Sequence, residues 1–154
     1  MKKAAVVLMA LLMLCLAGCS GGADVTDVDI GKVADELKEQ IVYQDELAPL
    51  TGEAFNDLYG IDPAAIKDAI AYIGSGATAE EIVAIEMNDK ESVADAEKAL
   101  EDHLQYQKDG YADYGPDEIP KLEKAVLKSG GCYIFLSVSD DDAKAAEIIG
   151  SYLK

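Results

Sequence analysis

Two short apolar segments, Lys124-Ala125-Val126-Leu127-Lys128 and Cys132-Tyr133-Ile134-Phe135-Leu136-Ser137-Val138, flank Ser129-Gly130-Gly131. Branched and aromatic residues on both sides of a glycine-rich turn specify a β-hairpin. A lone hairpin is barely stable in water, so this one needs further strands and a covering helical layer. The chain supplies both. Upstream, Ile70-Ala71-Tyr72-Ile73 and Glu81-Ile82-Val83-Ala84-Ile85-Glu86-Met87 flank Gly74-Ser75-Gly76 and predict a second hairpin, its first strand starting near residue 67. Helical spacing of Ile66, Ile70 and Ile73 competes with that reading.

Each hairpin is followed by a helical stripe: Val93, Ala96, Leu100 and Leu104 within 90–108, and Ala146, Ile149 and Leu153 in a last helix starting at Ser139 or Asp140. Two helices precede the sheet, one over 30–41 with Ile30, Val33, Leu37 and Ile41 on one face behind an Asp29 cap, and one over 51–58 stopped by Gly60. Residues 110–120, with two Pro and two Gly, read as a loop. The expected architecture is α+β: a four-stranded, largely antiparallel sheet built from two hairpin-plus-helix units, helices on one face, preceded by an N-terminal helix.

The foldable part is expected to span residues 29–154, because the N-terminus reads as an address. Lys2 and Lys3 precede the apolar run Ala4 to Leu16, which is too short to span a bilayer. Leu16-Ala17-Gly18-Cys19 has the form of a lipobox, in which a thiol is acylated before cleavage; bulky Met13 and Leu14 exclude Cys15 from the same role. Residues 1–18 are thus predicted to be a lipoprotein signal peptide, Cys19 the lipid attachment site, and 19–28 a tether containing Ser20-Gly21-Gly22. The predicted location is the extracytoplasmic face of the cell membrane, anchored through acyl chains on Cys19. Processing would leave 11 Lys against 30 Asp and Glu, so the domain would share its sign of charge with an anionic bilayer and stand off it.

Charge also narrows the partners. The 154 residues carry a net charge of −17, and every cation is a lysine. Nucleic acid is excluded, since a phosphate backbone calls for a basic face. A bidentate clamp for phosphate or carboxylate is excluded by the lack of arginine.

Phe55-Asn56-Asp57-Leu58-Tyr59-Gly60-Ile61-Asp62, Ser75-Gly76-Ala77-Thr78-Ala79-Glu80-Glu81-Ile82 and Val138-Ser139-Asp140-Asp141 occur in an order that is similar to one family. From Val33 to Leu153 the chain resembles a family of small predicted lipoproteins from Gram-positive bacteria, classed as a domain of unknown function. The resemblance implies a strand near Tyr72 and no activity, cofactor or catalytic residue.

Side chains that carry chemistry are few. His103 reads as a flank of its helix stripe rather than a general base. Cys132 alternates with Ile134, Leu136 and Val138 and reads as a small core residue. Asp140-Asp141-Asp142 fails the calcium-loop pattern, with Ala145 at its sixth place and Ser151 at its twelfth, and reads as helix capping. Glu80-Glu81 reads as a solvated strand edge, and Tyr106, Tyr111 and Tyr114 as a lid on the helical layer. No catalytic residue, metal site or cofactor is expected.

Strand alternation leaves one tension. If Ile134, Leu136 and Val138 face the long helices, then Tyr133 and Phe135, with Tyr72, Ile70, Ile82 and Ala84, share the opposite face. Such a face must be covered by the first helix, or serve as a docking surface with Tyr72, Tyr133 and Phe135 as anchors. The function expected is a lipid-anchored, non-catalytic envelope module that binds another envelope protein or a wall component. The alternatives are a small carboxylate-dependent envelope hydrolase, and a solute-binding lipoprotein for which the chain is too short to form two lobes.

Overall fold

A computed structural model describes residues 25–154. Ten elements alternate along the chain: α1 (Ile30–Gln40), β1 (Ala48–Leu50), α2 (Glu53–Tyr59), β2 (Ile66–Ile73), β3 (Glu81–Met87), α3 (Val93–Tyr114), α4 (Ile119–Glu123), β4 (Val126–Gly130), β5 (Tyr133–Val138) and α5 (Asp142–Tyr152). Single 3₁₀ turns at Pro63–Ala65 and Pro116–Glu118 introduce β2 and α4.

The sheet has five strands in the order β1-β2-β3-β5-β4, every neighbouring pair antiparallel. Both predicted hairpins form, and the second strand of each meets the other at the centre, with Val83 opposite Leu136 and Ala84 opposite Phe135. The fifth strand corrects the expected four. Ala48-Pro49-Leu50 is too short, and too marked by its proline, to read as a strand; proline lacks a ladder donor and suits the edge position it occupies.

Helices cover both faces, which corrects the expectation of a single helical layer. On one face α2, α3 and α4 pack Phe55, Tyr59, Leu100 and Leu122 over Val83, Ile85, Ile134 and Leu136. On the other, α1 and α5 pack Val33, Leu37, Ile148 and Ile149 over Ile82, Ala84, Tyr133 and Phe135. A helix is about 10 Å wide and strands are about 4.8 Å apart, so one helix shields roughly two strands. Accordingly α1 lies over β2 and β3, while α5 lies over β4 and β5. In α5 Ile149 turns inward as expected, Ala145 and Ile148 are buried beside it, and the expected Ala146 and Leu153 pack against the same core only partly buried.

Asp29 caps α1 as expected, its Oδ1 accepting from the Lys32 amide at 3.1 Å. The third helix runs past its expected end through Gly110, a residue that disfavours helix by roughly 1 kcal/mol. Tyr111 supplies the offset: it is buried, and its hydroxyl donates to the carbonyls of Thr78 at 2.6 Å and Gly76 at 3.1 Å. The expected loop over 110–120 is therefore mostly helical. At the other end of the domain, Val25 and Val28 already pack against the α1 and α5 layer.

Candidate functional site

The Ser75–Ala79 turn leads to two consecutive acids, Glu80 just before β3 and Glu81 at its first position, and the extended backbone turns their side chains to opposite sides. Both are buried, Glu80 being 1% exposed and Glu81 2%. This corrects the reading of the pair as a solvated edge. Ionised carboxylates are buried only where partners replace water, and each has its own set.

Glu81 points into the α2 and α3 layer. Its Oε2 accepts from the Tyr59 hydroxyl at 3.0 Å, and His103 Nε2 lies 2.9 Å from Oε1 and 3.1 Å from Oε2. The Tyr59 and His103 rings meet edge to face at 4.8 Å. Burial, reinforced by the Glu81 charge and hydrogen bond, pushes the Tyr59 phenol far above its ordinary range, so it holds its proton and donates. His103 is buried rather than flanking its stripe, and its Nδ1 has no hydrogen-bond partner.

Glu80 points toward the start of the linker between α1 and β1. It accepts from the Gln44 amide at 2.9 Å, the Asp45 amide at 2.9 Å and the Thr78 hydroxyl at 3.2 Å. Lys121 of α4, itself buried, places Nζ 3.5 Å from Glu80, 3.1 Å from Glu118 and 3.8 Å from Asp140. Burial pulls the ammonium pKa down. The Glu118 hydrogen bond and the charges of Glu80 and Asp140 outweigh that pull and leave it raised. Glu118 also accepts from the Ala79 amide at 2.9 Å, and Gln44 Nε2 donates to Asp140 at 2.6 Å. The cluster clamps four backbone segments: the α1–β1 linker, the β2–β3 turn, α4, and the end of β5. Glu80→Gln keeps the shape and removes the charge. It is expected to cost roughly 1–3 kcal/mol, the scale of hydrogen bonds to a charged group, read as a shifted denaturation midpoint.

An acid–base mechanism needs a group that can reach a substrate. The Glu81–His103–Tyr59 set has carboxylate, imidazole and phenol in contact, yet its free nitrogen is buried and faces no nucleophile. Two shallow surface grooves lie away from these residues. One, of about 220 Å³, lies beside α2 and is lined by Leu50, Phe55, Pro63, Ile66 and Ala69; the other runs along the polar face of α1 by Asp35, Glu36 and Tyr152. Among the described residues, no group of three or more His, Cys, Asp or Glu is arranged to hold a metal ion. Asp141 caps α5 by accepting from the Lys144 amide at 3.0 Å.

The aromatic residues singled out from the sequence do lie on one face. Phe135 is fully buried and Tyr133 nearly so, beneath α1 and α5; Tyr72 is half-buried with Lys38 Nζ 4.1 Å from its ring centre. The face offered as a docking surface is thus covered from within the chain. Cys132 is a free thiol, half-buried at the start of β5. Of the three expected lid tyrosines only Tyr111 is buried; Tyr106 and Tyr114 are exposed. Cys19 lies outside the described residues, and no described helix is long and apolar enough to cross a membrane.

The buried acids were missed because burial of a charge leaves no mark on hydropathy. A positional signal existed: Glu81 alternates with Val83 and Ile85, and His103 follows Leu100 by three. No curated protein and no solved structure matches the chain significantly. Both buried clusters lie almost wholly in a stretch, residues 24–139, that matches a family model described as Domain of unknown function (DUF4358). That match covers most of the chain, which therefore belongs to this family of unknown function.

Proposed function

We propose that the protein is a lipid-anchored, extracytoplasmic module of a Gram-positive type of envelope, one that binds another envelope protein or a wall component without catalysis. The observation that carries the non-catalytic part is the sealing of the His103–Glu81–Tyr59 set inside the core. The most catalysis-like constellation among the described residues is spent on holding α2 and α3 to the sheet. The hydrolase alternative is weakened by the same strand. Two carboxylates that share a substrate must face one cleft, whereas Glu80 and Glu81 point to opposite sides of the sheet.

Anchoring rests on Leu16-Ala17-Gly18-Cys19 and the charged, then apolar, stretch before it. Metabolic labelling with a fatty-acid probe tests it. The wild type is expected to take up label, and Cys19→Ala is expected to remain unlabelled and uncleaved. Equal labelling of the two would overturn the anchor. Crosslinking in intact cells, followed by mass spectrometry of captured proteins and glycans, addresses the partner.

A further inference from the structure

The first described residues do not hang free of the domain. A Cβ placed on Gly131 would sit 2.3 Å from the Val25 carbonyl oxygen, and one on Gly130 would sit 3.2 Å from Val25 Cγ2 and 3.1 Å from Leu153 Cδ2. The β4–β5 turn needs glycine at 131 for its own sake, with φ at +62°. The missing side chains also leave a bed in which Val25 lies, followed by Val28 against the α1 and α5 layer. The chain is therefore latched to one end of the sheet before it enters α1.

From this we infer that the lipid-anchored domain stands end-on at the bilayer, its β4–β5 turn toward the lipid and its Glu80–Lys121 end away from it. The inference rests on the anchor reading. Six residue steps separate Cys19 from Val25, which limits the reach to about 20 Å. The seven residues of β3 place Glu80 about 23 Å from the Met87 end, where the Met87 amide bonds Cys132 beside the latched turn. The far end gathers Asp45, Glu80, Glu118 and Asp140 against Lys121. The latch position sets the pose. The surface turned outward carries the Ser75-Gly76 turn and Tyr114, whose exposed ring packs 4.9 Å from the anchored Tyr111.

The test uses the full lipidated chain in vesicles of phosphatidylcholine and phosphatidylglycerol doped with a quencher-bearing lipid. In a Cys132→Ser background, a fluorophore is attached at Glu91→Cys, near the latched end, or at Ala77→Cys, at the far end. Several-fold stronger quenching at position 91 than at 77 is expected. A ten-residue Gly-Ser insert between Gly22 and Ala23 should shrink the difference. Equal quenching at the two positions, in protein that floats with the vesicles, would overturn the orientation alone. Failure to float would overturn the anchor and the orientation with it.

Discussion

Replacing Phe135 by alanine is expected to lower folding stability by roughly 3–5 kcal/mol, the range for truncating a fully buried aromatic residue. The ring is wholly inaccessible, on a central strand opposite Ala84, with α1 and α5 above it. The small partner is what makes the site unforgiving. The residue directly across in β3 is only Ala84, and the two helices bridge the site from separate strands, so the cavity persists. A urea melt should show a lower midpoint at unchanged slope. A loss below about 1 kcal/mol would mean that the helices do not cover this face.

Glu81→Ala is expected to cost a similar 3–5 kcal/mol by a different route, since it strips a buried imidazole and a buried phenol of their shared acceptor. A cavity alone would not explain the next expectation. The double variant Glu81→Leu and His103→Leu should be more stable than Glu81→Leu alone, because it removes the carboxylate and the imidazole together, fills the space with apolar volume and leaves only the Tyr59 hydroxyl without its acceptor. Singles and double measured as a cycle give the coupling directly. Additive losses would show that the pair does not interact.

Much of the sheet was legible because its signals are local. Glycine turns with β-branched flanks fixed β2 through β5 in sequence, and alternation sorted Ile82, Ala84, Tyr133 and Phe135 onto one face before any contact was known. What alternation cannot tell is which helix lands on which face. That is decided by the width of the sheet, which grew by a strand when Ala48-Pro49-Leu50 paired with β2. The last turns of α3 were lost for a related reason: Gly110 argues locally for a break, and the argument against it comes from Tyr111 bonding to a turn more than thirty residues earlier. The buried acids belong to the same class. Glu80 and Glu81 became core residues only once Lys121, His103, Tyr59 and two linker amides arrived from four other places in the chain.

The placement of those acids also bears on the chain before it folds. Ile82-Val83-Ala84-Ile85 is a run of the kind that stacks into intermolecular β-structure when left open. Glu80 and Glu81 bound it on one side and Glu86 on the other, so in the newly made chain like-charged gatekeepers oppose its stacking on copies of itself. Folding then reassigns every one of them. Glu80 closes on Lys121, Glu81 on His103, and Glu86 on Lys67 at 2.7 Å. A neutral residue at any of the three positions would thus act twice, loosening the finished domain and removing a guard against aggregation during synthesis.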